Sequence, residues 1–368
     1  MILFVSAFAL VSPACANEAA YFAITRFWVA GVYYAHNEDC PTGKNLHEGE
    51  IAKRALIETG HDPNEFLDRD GASYSQEKDA QLMQIITFRG RIDGKPANAY
   101  AFPESVSDPH IKTGSGKYGY GFNLDGKTKS SDFIDPETGE RGVDNNLYRV
   151  YACNSHTRQL PPPQQSVAAD FGSEAYLSSY PPYILEISSL DEKRDDYDVT
   201  VTISMSLDTV VRDASGEAAQ EQTLRVDPDP RWQNVVHGKM KNGVLTTDVF
   251  DLNLPGNPEW FPEYHFKQAR LRLRVLPEGK ATGILGGYHD WLPFYRQMAI
   301  RGTQWELIGD DVPGTYYALK RLADGYPDPG SGEMTAISSA FAVKAVRVLI
   351  QKPKDTSSRE EAQDELVH

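Results

Sequence analysis

The 368-residue chain predicts a β-rich α+β fold: an antiparallel, sandwich-like C-terminal half carrying two packed helices, behind a smaller α+β N-terminal region. Three observations lead there. "YDVTVTISMSL" (197–207) alternates strictly, with Val199, Val201, Ile203, Met205 and Leu207 on one side and Thr200, Thr202, Ser204 and Ser206 on the other. "ARLRLRVLPEGKATGILGGY" (269–288) sets Leu271, Leu273 and Val275 against Arg270, Arg272 and Arg274, then turns at "PEGK". Nearer the N-terminus the period changes: "NLHEGEIAKRALIETG" (45–60) puts Ile51, Ala55 and Leu56 on one helical face.

Residues 1–16 read as a secretory signal. Ile2 to Val11 is apolar or small throughout, Pro13 breaks any helix, and Ala14-Cys15-Ala16 supplies the small-x-small pattern for cleavage before Asn17. No Lys or Arg precedes the run, and Asn17, Glu18 and Arg26 stop it from reaching membrane-spanning length. The expected location is periplasmic or secreted, with no integral membrane segment after cleavage. A lipoprotein start at Cys15 is the weaker reading, because Ser12 stands where a large aliphatic residue is wanted. Cleavage leaves Cys40 and Cys153, and an oxidising compartment makes them one disulfide. Closing so long a loop stabilises by about 4–5 kcal/mol in the chain-entropy account.

The region 17–158 opens on "RFWVAGVYYAHNEDC" (26–40), aromatic and β-branched like a buried strand. The helix of 45–60 follows, with Asn45 as its cap and Gly60 as its end. "KYGYGFNLDG" (117–126) reads as a strand entering a turn. Residues 159–174, with "QLPPPQQS", read as a linker, since three consecutive prolines favour extended polyproline geometry. The second domain, 175–350, adds "NGVLTTDVFDLNL" after an Asn242-Gly243 turn. Two helices complete it, "HDWLPFYRQMAIRG" and "DVPGTYYALKRLADG". Asp311 caps the second, Pro313 sits in its opening residues, Gly325 ends it, and Tyr316, Leu319, Leu322 and Ala323 form its inward stripe. The polar, aperiodic tail 351–368 is expected to be disordered.

Composition narrows the function classes. With 52 acidic against 37 basic residues the net charge is −15, which disfavours nucleic acid and anionic membrane surfaces as partners. No CxxC, CxxCH or zinc-finger spacing occurs, so there is no thiolate metal or haem signal, and no nucleotide or flavin signal either. The nine His include no pair three or four apart, and HExxH is absent. GxSxG and SxxK are missing. "GSGK" (114–117) mimics the end of a phosphate loop, but it lacks the upstream Gly, and Tyr118 replaces Ser/Thr.

Four groups remain as candidates. "DFIDPETGERGVDNNLYRVYAC" (132–153) crowds hard oxygens together, and Asp125, Asp132, Asp135, Asp144 and Asn145 form a candidate calcium set. The competing reading is an Asx-rich loop whose side chains bond their own backbone. "FLDRDGASYSQE" (66–77) places Asp68, Asp70, Gly71 and Glu77 at EF-hand offsets, but Phe66 occupies the first ligand position. Trp260, Phe261, Tyr264 and Trp291 form a candidate sugar-stacking platform, set against ordinary burial of aromatic rings. His289-Asp290 is the most enzyme-like local pair, although neighbours on a strand point to opposite faces. The Arg270/Arg272/Arg274 stripe is expected to pair across strands with Asp or Glu, the competing reading being an anionic polymer or carboxylated ligand. The leading expectation is a non-catalytic exported binding or envelope protein with a glycan or envelope partner and a calcium-stabilised loop. The alternative is a secreted hydrolase acting on a polysaccharide or ester.

Overall fold

The computed structural model describes residues 19–68, 75–190, 195–256 and 263–351. The signal, all but the first residue of the 351–368 tail, Asp70, Gly71, Trp260 and Phe261 lie outside the described residues.

The sheet is a closed barrel, not a sandwich. Its eight strands, labelled in chain order, are β1 (Ala20–Val29), β2 (Tyr183–Ser188), β3 (Tyr197–Met205), β4 (Asn234–Lys241), β5 (Val244–Thr247), β6 (Glu263–Leu276), β7 (Lys280–Asp290) and β8 (Met334–Gln351). Each pairs antiparallel with the next, and β8 pairs antiparallel with β1, so the meander returns to its start. The expectation of a sandwich fails for a physical reason. Alternation reports that one face of a strand is buried, and a barrel and a sandwich both bury one face. What separates them is the β1–β8 register, Tyr21↔Val348 through Val29↔Phe341, between segments more than 300 residues apart. Three short strands, Thr223–Arg225, Phe250–Pro255 and Gly325–Pro327, extend the sheet off its rim.

Within the barrel the alternation holds as far as Ile203, beyond which Ser204 and Ser206 are buried and Met205 only partly so. Val199, Val201 and Ile203 of β3 and Leu271 and Leu273 of β6 are buried in one core with Phe22, Leu185, Leu285 and Val343. Leu207, expected on the inward side, lies past the end of β3 and is 48% exposed. Aromatic rings fill the lumen: Phe27 stacks on Phe341 at 4.7 Å, Tyr264 on Phe266 at 5.9 Å, and Tyr183 meets Phe27 edge-on. A bulge between Ile24 and Arg26 lets both Ile24 and Phe27 face inward. The two hairpin turns are as expected: Asn242 and Gly243 both take positive φ between β4 and β5, and Gly279 does so between β6 and β7. Gly283 is required by close approach, since a Cβ there would lie 2.0 Å from the Arg272 carbonyl oxygen.

Two long insertions cap one barrel mouth. Residues 30–182 leave from the end of β1 and re-enter at β2, while 291–333 join β7 to β8. Antiparallel pairing all round places the ends of β1 and β7 at the same rim. The first insertion carries α1 (Glu48–Glu58), α2 (Gln76–Thr87), α3 (Asn146–Tyr151) and α4 (Val167–Ser178). The second carries α5 (Trp291–Ile300), α6 (Gly302–Leu307) and α7 (Val312–Leu322). Asp311 caps α7 through the Gly314 amide, as expected. Asn45 does not cap α1, which begins after His47; it bonds the Lys112 backbone and Asn154 instead. The segment 117–126 forms only isolated bridges, at Tyr118 and Phe122, and the strand expected at 26–40 is instead Ala20–Val29. Residues 167–174, read as linker, belong to α4, which packs on the outside of β1, with Gly172 against the Trp28 ring. No helix among the described residues is long and apolar enough to cross a membrane.

Cys40 and Cys153 form the expected disulfide, with Cα atoms 5.8 Å apart. It fastens the segment after β1 to the end of α3, beside the buried Arg158–Asp39 ion pair. A second buried pair, Arg89–Glu306, ties the end of α2 to α6, and the Tyr100 hydroxyl also donates to Glu306. Between barrel and cap lies a cavity of only about 40 Å³, walled by Trp28, Tyr151, Phe294, Met298 and Phe341. Truncating the ring that stacks across the barrel seam, Phe341→Ala, is expected to cost about 3–5 kcal/mol, measured as a lower denaturation midpoint. An unchanged midpoint would show that the seam is not part of the cooperative core.

Candidate functional site

The Asx-rich stretch is a docking loop. Asp135 is fully buried and accepts from the Glu137 and Thr138 amides at 2.8 and 3.0 Å, and from the Arg272 guanidinium of β6. Arg272 also reaches Glu140 and lies over the Phe122 ring. Arg270 donates to the Asn123 carbonyl. Phe122 and Leu124 pack on Ile284, Tyr288 and Ala340, and Gly286 leaves room for the Phe122 ring. Arg270 and Arg272 of β6 therefore hold the loop against the barrel, while Arg274 is exposed. The acidic partners of Arg272, Asp135 and Glu140, come from the loop rather than from a neighbouring strand, so the expected cross-strand pairing does not form there.

The five proposed calcium ligands are engaged separately. Asp125 bonds the Lys127 amide and the Lys129 ammonium, and Asp132 accepts from the Lys129 amide. Asp144 accepts from the Leu124 and Asp125 amides at 2.8 and 3.2 Å. Asn145 accepts from the Tyr148 and Ala340 amides and donates to the Tyr120 carbonyl, stitching α3 to β8. Among the described residues no group of three or more metal-ligating side chains converges.

His289 and Asp290 do not act together. His289 is buried in the barrel core, with Nδ1 3.0 Å from the Ser339 hydroxyl and its ring edge-on to Phe266 and Phe294. Burial pushes its pKa down to about 4, so it is neutral at pH 7. Asp290 points the other way, to Lys267 at 2.8 Å. Tyr264 lies within the lumen, and Trp291 is buried with its indole donating to the Met334 carbonyl. Neither presents a face to an external sugar.

The groups that do converge border a cleft of about 560 Å³ beside the start of β8, between α3, the end of α7 and the 114–117 and 129–132 segments. At one end Asp324, immediately after α7, accepts from the Ser338 amide and hydroxyl at 2.7 and 2.6 Å and from the Asn146 amide nitrogen at 3.0 Å. Burial raises its pKa to about 6; the Ser338 bonds oppose that and nearby Asp144 adds to it. Asp144 is raised too, chiefly by burial, with Asp125 and Asp132 contributing. The Tyr288 phenol, pushed up by burial, also feels both carboxylates. At the other end Arg149 of α3 donates to the Gly114 and Ser131 carbonyls, and its guanidinium lies 3.7 Å over the Phe133 ring. Among the described residues no carboxylate is in ion-pair contact with it, and burial lowers its pKa. Lys117, from the GSGK segment, also lines the cleft, while Lys129 pairs with Asp125 beside the acids.

The sequence pattern points to Asp132 and Asp144, and to Lys117 only through GSGK, but not to Asp324, Arg149, Ser338 or Lys129. Nothing in the sequence around Asp324 tells that it meets Asn146. Comparison with protein-family models, curated proteins and solved structures found no match. The function is therefore argued from the site.

Two outcomes follow. Arg272→Ala leaves the buried Asp135 charge unpaired and should cost about 3–5 kcal/mol by chemical denaturation, with protease cleavage appearing first in 122–145. Destabilisation without such cleavage would remove the loop-docking role. Asp324 supplies a pH signature. An acid with a folded pKa above its unfolded one binds its proton more tightly in the native state, so it favours the fold at low pH. That contribution is lost as pH rises through about 6. His289 acts oppositely, its contribution being lost as pH falls from 6.5 towards 4. Wild type mixes the two, so the test is the difference from Asp324→Asn. The gap in unfolding free energy between pH 4 and pH 7 should change by up to about 3 kcal/mol, with the variant favoured at the higher pH. Parallel pH profiles would contradict this.

Proposed function

We propose that the protein is an exported, non-catalytic binding protein that holds a small polar ligand in the cleft between α3 and the start of β8. One observation carries the reading: the lumen is filled by its own rings, whereas a polar cleft of about 560 Å³ gathers ionisable groups of both signs, with Asp144 buried and Asp324 and Arg149 half-buried. An eight-stranded barrel has an interior just wide enough for side chains or one small ligand, and here side chains occupy it. The disulfide supports export, because such bonds persist in oxidising compartments. A calcium-stabilised loop is not carried into the proposal, since the Asx side chains already bond the loop backbone. Sugar stacking is not carried either, with Tyr264 and Trp291 buried.

A second reading has a specific observation behind it. Asp324 and Asp144 border one cleft with raised pKa values, an arrangement that acid–base hydrolases use. One experiment separates the two. Thermal-shift screening of polar metabolites should find ligands that raise the melting temperature of wild type and not of Lys117→Ala, while glycoside and ester substrate panels show no turnover. Turnover that disappears in Asp324→Asn would favour the hydrolase, and hits unaffected by Lys117→Ala would place the ligand elsewhere.

A further inference from the structure

The cleft has two poles that do not neutralise each other. Asn146 and Arg149 are three residues apart on α3, hence on one side of it and separated by about 4.5 Å of helix rise. Asn146 holds Asp324, with Asp144 close enough to raise it. Arg149 holds the 114 and 131 carbonyls, and Lys117 lines the same cleft with its ammonium 5.5 Å from the Tyr118 ring centre. Lys129, the cation nearest the acids, is engaged with Asp125. Asp144 and Asp324 thus face each other at the acidic end, with Lys129 offsetting them in part. About one helical turn away stands a guanidinium with no ion-paired carboxylate among the described residues, on which Asp132 acts from a distance.

We propose that the cleft selects a small amino carboxylate, its carboxylate seated at Arg149 and Lys117 and its ammonium at Asp144 and Asp324. The proposal rests on the cleft being the ligand site. A molecule carrying both charges relieves both poles, whereas a ligand with one charge leaves the other pole desolvated and unpaired. Bidentate guanidinium–carboxylate contact suits the planar end of such a ligand. No aromatic ring lines the cleft, so stacking contributes nothing.

The test is calorimetric titration of the full chain with the ω-amino acids from glycine to 6-aminohexanoate, against alkanoates and alkylammonium ions of equal length. At least one amino acid should bind about tenfold or more tighter than both of its one-charge analogues. Lys117→Ala, at an exposed position, and Arg149→Gln should reduce that preference from the carboxylate side, and Asp324→Asn from the ammonium side. The proposal is overturned if no amino acid outbinds its analogues, or if the preference survives all three substitutions. Should other ligands still lose their thermal shift in Lys117→Ala, only this inference falls. If no cleft substitution alters any ligand's shift, the cleft itself is excluded along with it.

Discussion

The pairing of β1 with β8 is the constraint on which the rest of the molecule depends. It converts a meander with two exposed edges into a closed cylinder, removing edges that would otherwise template association with other chains. It brings Phe27 onto Phe341 and places Asn145 where it can accept from the Ala340 amide. It also sets both insertions over one mouth, because the strands from which they depart run in the same direction. The cleft between α3 and β8 exists only once this seam is made.

Charge is used in two different ways around this frame. Arg272–Asp135, Arg158–Asp39 and Arg89–Glu306 are buried and close, and each joins segments distant in sequence. Their worth lies less in net stability than in specificity, since an alternative packing would leave a buried charge unpaired. At the cleft the same residue types are not paired among the described residues: Asp324 and Asp144 share one end, and Arg149 bonds carbonyls and lies over a ring. Structural ion pairs and binding groups are alike in composition and differ in whether the fold supplies the counter-charge.

The acidic loop shows how the two uses are confused in a linear reading. Asp135, Asp144 and Asn145 look like ligands because oxygen-rich, Gly-containing segments suit cations. The same chemistry suits a loop that must satisfy its own amides while lying across a sheet. The deciding partner, Arg272, lies 137 residues away. The aromatic residues make the same point, since Tyr264 and Trp291 read equally well as a platform or as core until the barrel closes around the first and the cap covers the second.

Local pattern was legible wherever local physics decides. Alternation in β3 and β6, the Asn242-Gly243 and "PEGK" turns, the cap at Asp311 and the pairing of Cys40 with Cys153 could all be read directly, because each depends on neighbouring residues or on elimination. Closure of the barrel, the docking of the acidic loop and the meeting of Asp324, Asp144 and Arg149 could not. A strand's period records that one face is buried, without recording which strand completes the sheet. A carboxylate's pKa follows from burial and neighbours that only the folded chain assembles. The sequence by itself determined the strands and the brace, while the tertiary structure decided what they enclose and which charges remain unanswered.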